Sequence, residues 1–141
     1  AIHRATTAAF FSSGMLAGDA PGRLFYGSML RDVFVRLAEA SRARGIIDGL
    51  DPDVFASTPD MVAVSFDASA YLDRKYLALT AHRSAFGVTP AMLENPPPGV
   101  AEMLRAFRPV LQREVFLLGG VRGTVPRWPL ADFFDGLHTA N

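Results

Sequence analysis

The stretch Met61-Val62-Ala63-Val64-Ser65-Phe66-Asp67, with the segment 68–85 that follows it, decides the fold class of this chain. Residues 61–66 are rich in β-branched side chains and apolar on both faces over most of their length. This pattern predicts a short β-strand covered by helices. Segment 68–85 has the spacing of an amphipathic helix, with an apolar stripe that consists of Leu72, Tyr76 (or Lys75) and Leu79. Asp67 or Ser69 can cap its start.

The segments on either side continue this alternation. The spacing predicts further helices at about 1–16, 29–44, 99–107 and 130–137, and further strands at 24–26 and 114–118. Segments 48–59 and 86–98 are predicted to be irregular connections. Helices alternating with short buried strands indicate an α/β layered fold. Because three strands are few for a free-standing sheet of this kind, we expect residues 1–141 to form part of one larger domain with a parallel sheet.

Composition excludes several classes of function. Half of the residues are hydrophobic and a fifth are charged, and the formal net charge is zero. No general attraction to nucleic acid or to an anionic membrane follows from that charge balance. The sequence contains no cysteine, so it has no disulfide, thiolate nucleophile or cysteine-ligated zinc. It also has no apolar run near the roughly 20 residues that span a bilayer. A cytoplasmic location is compatible with these properties and is our expectation.

Three stretches of the sequence, Ala1–Ala9, 64–84 and Glu114–Leu118, carry a resemblance to one known family, the LmbE-like (PIG-L) zinc-dependent N-deacetylases. The segment Ala1–Ala9 resembles the helix that follows the family's His-x-Asp-His motif. The segment 64–84 resembles a strand followed by D-x-x-x-Y-x-x-x-K-x-x-A-x-x-A-H-x-S-Q, through Asp67, Tyr71, Lys75, Ala78, Ala81, His82 and Ser84. The segment Glu114–Leu118 resembles the family's E-x-F-x-L strand. Ala85 departs from the family pattern, which has Gln there.

The resemblance implies a Rossmann-like three-layer αβα fold, of which this chain would be the C-terminal part. It also implies zinc-dependent removal of an acetyl group from an N-acetylated, glucosamine-type sugar. The family's Ala-His-Pro-Asp-Asp-Glu and His-x-Asp-His motifs, which supply the zinc ligands and the base, are not in this sequence. We therefore expect them to precede Ala1, so that this chain contributes neither metal ligands nor catalytic residues and is by itself inactive.

The three histidines do not form a metal motif by themselves. None of His3, His82 and His138 has a histidine or carboxylate at the spacing of a helical zinc site. His3 is a candidate to support the metal from behind its ligands, or alternatively a capping or buried structural residue. His82 either borders the active-site mouth or interacts with the dipole at the end of its helix.

Four other residues are candidates to line a substrate pocket. Arg83 either contacts an anionic group or is a solvated surface residue, and Tyr26 either offers its phenol to a sugar or is a core aromatic. Arg122 lies in the run Gly119–Gly123, which lacks the lysine and the following helix of a phosphate-binding loop and is predicted to be a flexible loop near the substrate entrance. Trp128 either stacks on a sugar or anchors a subunit contact.

Two functions from different classes remain open from sequence. One is the hydrolase, whose substrate would be an N-acetyl sugar or a related amide. We expect no nucleic-acid partner for it, and homo-oligomers are compatible with the sequence. The other is a non-catalytic module that binds a partner or oligomerises through apolar surfaces.

Overall fold

The computed structural model of the chain describes residues 2–15, 20–42 and 51–137. The described helices are α1 (Ile2–Ser13), α2 (Arg31–Arg42), α3 (Pro52–Phe55), α4 (Leu72–Leu79), α5 (Arg83–Phe86), α6 (Pro90–Glu94) and α7 (Pro98–Gln112). The strands are β1 (Arg23–Ser28), β2 (Val64–Asp67) and β3 (Arg113–Val121), and single 3-10 turns occupy Pro59–Met61 and Ser69–Tyr71. The protein is therefore a mixed α/β chain, as its sequence predicts.

The three strands form an antiparallel sheet in the order β1-β3-β2. Strand β1 pairs with β3 from Arg23 opposite Val121 to Ser28 opposite Val115, with an irregularity in register between Leu24 and Phe25. The parallel arrangement expected from sequence is wrong for these strands. Apolar strands covered by helices are typical of parallel sheets, but hydrophobicity does not encode strand direction.

The residues divide into two compact units. Of the described residues, those within Ala1–Ser28, Thr58–Ser65 and Val115–Asn141 form the first, the sheet unit, and those within Met29–Ser57 and Phe66–Glu114 form the second, the helical unit. The core of the sheet unit contains the buried side chains Phe10, Val62, Ala63, Val64, Val115 and Leu130. Its sheet also carries an aromatic cluster, in which the Phe133 ring lies 4.9 Å from that of Phe25 and 4.8 Å from that of Phe116.

The helical unit is organised around α7, which packs against both α2 and α4. Its buried apolar residues include Phe34 and Val88. The stripe predicted on α4 is confirmed, because Leu72, Lys75, Tyr76 and Leu79 are partly buried whereas their neighbours on the other face are exposed. The Tyr76 hydroxyl donates to the Leu104 carbonyl of α7 at 3.2 Å.

The helix predicted over 68–85 is interrupted. The Asp67 carboxylate accepts a hydrogen bond from the Ser69 amide at 2.9 Å, which fixes a turn before α4 begins at Leu72. Helix α4 ends at Leu79, where the buried Thr80 hydroxyl donates to the Leu77 carbonyl at 2.7 Å. Threonine side chains that bond to nearby carbonyls compete with helix continuation, and the periodicity of apolar residues does not report that competition.

Three other predicted segments differ from the structure. The segment 48–59, predicted to be irregular, contains the short helix α3, which has Pro52 in its first turn and an N-cap residue, Asp51, whose side chain accepts from the Asp53 amide. The segment 86–98 contains α6, which begins at Pro90. Proline is common in the first turn of a helix, so this residue marks the start of α6. Residues 130–137 form turns and no helix. There the Asp132 and Asp135 side chains accept backbone amides at 2.7 and 2.8 Å, and Gly136 has a φ of 73°. These local bonds hold the backbone out of a helix. Within the described residues, no helix is both long and apolar enough to cross a membrane.

Candidate functional site

Two of the predicted site residues contact each other at the start of α1. The imidazole of His3 stacks on the ring of Tyr26 in β1, with ring centroids 4.2 Å apart and an angle of 27° between the planes. His3 is exposed and Tyr26 is partly buried. The pair therefore attaches the first turn of α1 to the sheet.

The hydroxyl of Tyr26 is committed to a hydrogen bond whose direction can be assigned. It bonds to the Thr7 hydroxyl, which itself donates to the His3 carbonyl at 2.8 Å. Because a threonine hydroxyl has only one proton, Tyr26 must be the donor to Thr7. The structure thus places Tyr26 as a packing residue whose proton is already used within the chain.

The glycines of the run 119–123 serve this packing. Gly119 and Gly120 lie inside β3, so the prediction that this run forms a flexible loop is wrong for them. A Cβ at Gly119 would come within 2.8 Å of three atoms of the Tyr26 ring, and one at Gly120 would lie 2.7 Å from the Phe10 ring. Strand interiors use glycine where another group approaches closely. Here the close groups are the aromatic side chains of β1 and α1.

Arg122 fastens the other end of α1. Its guanidinium donates to the Phe10 carbonyl near the helix end and to the Pro21 carbonyl at 3.2 Å, and it lies 4.6 Å from the centre of the Phe10 ring. A cation at the C-terminus of a helix satisfies carbonyls that lack partners within the helix. Gly14 leaves room for it, since a Cβ there would come within 2.9 Å of three guanidinium atoms. Arg122 is thus bound to its own chain.

Trp128 differs from Tyr26 and Arg122 in its exposure. It is half exposed to solvent, although contacts within the chain fix its position. The indole N–H donates to the Asp60 carbonyl at 3.0 Å. Two residues on, Leu130 is buried and its amide donates to the Ala63 carbonyl at 2.8 Å. The exposed part of the indole is consequently apolar and held in place, which suits contact with another flat or apolar surface.

Asp135 organises the segment that carries Trp128. Its carboxylate accepts from the Arg127 Nε at 2.6 Å and from the Ala131 amide at 2.8 Å. The hydrogen bond from Arg127 is the main reason why the pKa of Asp135 lies below its ordinary value of 3.8, and the Ala131 amide and the charge of Arg23 add to it. Asp135 is therefore a carboxylate that stays ionised, the opposite of what a proton donor requires.

Arg23 completes this arrangement from β1. It donates to the Phe133 carbonyl at 3.3 Å and to the Asp135 carbonyl, and its Nε is buried without a hydrogen-bond partner in the described part of the chain. Neither Arg23 nor Asp135 was a sequence candidate. The Asp135-Gly136 pair, a turn signal inside the segment predicted to be helical, is the feature of the sequence that could have indicated this structure.

The remaining candidates belong to the helical unit. His82 is exposed and lies between α4 and α5, where its amide donates to the Leu79 carbonyl at 3.1 Å. Arg83 begins α5, and its side chain lies outside what the structure describes. Nearby in sequence, the Lys75 amine donates to the Leu111 carbonyl at 2.8 Å and lies 2.6 Å from the Glu114 carboxylate. Lys75 thereby ties α4 to the end of α7.

These side chains do not form a metal site. Across residues 2–15, 20–42 and 51–137, no three histidine, aspartate or glutamate side chains come together in a way that could hold a metal ion. His3 and His82 belong to different units, and His138 lies outside the described residues. The described residues do not fit a zinc centre, and we derive no hydrolytic step from them.

Comparison with known proteins adds no relative: no protein-family model, curated protein or solved structure matches the chain. The polar groups of the candidate residues that the structure describes either hold the fold together or face solvent. Tyr26, Arg122, Asp135 and the indole N–H of Trp128 are hydrogen-bonded inside the chain, whereas His82 and the apolar part of the Trp128 ring are exposed.

Proposed function

We propose that this chain is the C-terminal part of a zinc-dependent N-deacetylase of the LmbE-like type, with a Rossmann-like three-layer fold in the complete domain. The substrate class is an N-acetylated, glucosamine-type sugar or a related amide. Zinc, when bound, would polarise the amide carbonyl and lower the pKa of the attacking water. The ligands and the base would come from polypeptide outside this sequence, and the present residues would support the pocket.

The observation that carries the proposal is the segment 64–84. It resembles the family in the order and spacing of Asp67, Tyr71, Lys75 and His82, and it folds as a strand, a 3-10 turn and then the helix α4. Within that helix, Lys75 contacts the end of α7 and Tyr76 bonds to its middle, while His82 is left exposed after the last turn. We propose that this helix lies at the wall of the pocket, with its anchoring residues toward α7 and His82 among the residues left accessible.

The test uses the complete gene product, assayed for acetate release from N-acetylglucosamine derivatives. We expect activity that is lost on treatment with a chelator and restored by added zinc. Replacement of the exposed imidazole, His82→Ala, should raise KM more than it lowers kcat, and Arg74→Ala on the exposed face of α4 is the matched control. A complete protein that contains no upstream zinc ligands, or that releases no acetate from any such sugar, would overturn the proposal.

A second function, a module that binds a partner or self-associates, is favoured by one specific observation. The Phe134 side chain is 75% exposed and that of Trp128 is 50% exposed, although both lie in a segment held by Asp135. Large apolar groups exposed on a fixed backbone are typical of contact surfaces. Sedimentation of the purified protein tests it: self-association that Trp128→Lys or Phe134→Lys abolishes supports the module, and a monomer at high concentration contradicts self-association.

A further inference from the structure

We draw no further inference here: the strongest candidate, the exposed apolar surface of Trp128 and Phe134 in the segment after β3, already serves the second function above, and nothing in the structure shows what covers it.

Discussion

The glycine at position 119 offers the sharpest test of how α1 and the sheet are joined. Gly119→Ala would place a methyl group within 2.8 Å of three atoms of the Tyr26 ring, so the ring must move. Overpacking of this kind costs about 1–3 kcal/mol. Movement of the ring would also break the hydrogen bond to Thr7, worth about 0.5–1.5 kcal/mol. Against these costs, alanine restricts the unfolded chain and returns about 0.4–1 kcal/mol. We expect a net loss of about 2 kcal/mol in the free energy of unfolding.

The matched control is Gly27→Ala in β1, where the new methyl group would meet only the Phe116 ring at 4.0 Å. This variant should stay within about 0.5 kcal/mol of the parent protein, as surface substitutions do. Urea unfolding followed by tryptophan fluorescence is the suitable assay, because Trp128 is the single tryptophan and belongs to the sheet unit.

A double-mutant cycle separates a clash with Tyr26 from a general effect on the strand. If the ring is the obstacle, Gly119→Ala should cost at least about 1 kcal/mol less in a Tyr26→Ala background than in the parent, since contacting residues are coupled on that scale. Equal stabilities of the Gly119→Ala and Gly27→Ala proteins, together with an uncoupled cycle, would refute this account of the glycine.

Three other perturbations test the remaining contacts. Arg122→Met keeps the length of the side chain but removes the guanidinium, and we expect faster hydrogen exchange at the C-terminal end of α1 and a loss of about 1–3 kcal/mol, the scale of charged hydrogen bonds. Arg36→Met is the control, because the Arg36–Asp32 pair is exposed and such surface pairs contribute little to stability. Equal effects of the two substitutions would contradict the role given to Arg122. Because the hydrogen bond from Arg127 lowers the pKa of Asp135 in the folded protein, this carboxylate stabilises the fold above the unfolded value of 3.8, and the stabilisation is lost as pH falls through the folded value. Asp135→Asn should therefore flatten the acid side of the stability profile, and an NMR titration that gives Asp135 a pKa at or above 3.8 would contradict this. Burial raises the pKa of Tyr76 above 10.0 in the folded state, so its contribution is present below that value and is lost as pH rises through the folded one. The ultraviolet difference between the parent and Tyr76→Phe proteins should accordingly titrate above 10.0, and a midpoint at or below 10.0 would contradict the dominance of desolvation at this hydroxyl.

The elements that depend on the periodic spacing of apolar residues could be predicted from the sequence. The strand near residues 61–66, the strands near 24–26 and 114–118 and the stripe on α4 all follow from apolar spacing, and the structure confirms them with shifted strand ends. The helix predicted over 68–85 is confirmed only in part, as α4 and the start of α5. The helix predicted at 130–137 is wrong, because the spacing of apolar residues does not determine the backbone conformation there. Its apolar residues suggested a helix, but two aspartate side chains bond to nearby backbone amides there and favour turns. Such short-range competition depends on side-chain conformations, which spacing does not reveal.

The end of strand β3 depends on contacts with residues far away in the sequence, which spacing alone does not predict. The pair Gly119-Gly120 is typical of a strand end, and the prediction placed the end there. In the structure the strand continues to Val121, because the missing side chains are replaced by the Tyr26 and Phe10 rings from elements about a hundred residues earlier. Only knowledge of which elements are neighbours distinguishes a glycine that ends a strand from one that admits an aromatic ring.

The same contacts determine how a test of the proposed deacetylase activity must be interpreted. Tyr26 and Arg122 were candidates to line a pocket, yet both use their polar groups to hold α1 on the sheet. Substituting either residue would lower activity by loosening the fold, so a decrease in kcat that follows the decrease in stability says nothing about substrate contact. His82 and Trp128 differ in this respect, because each is exposed and has its backbone or N–H bonded within the chain. An effect of His82→Ala or Trp128→Phe on KM without a loss of stability would therefore support contact of that residue with the substrate, whereas an unchanged KM would remove that residue from the proposed pocket.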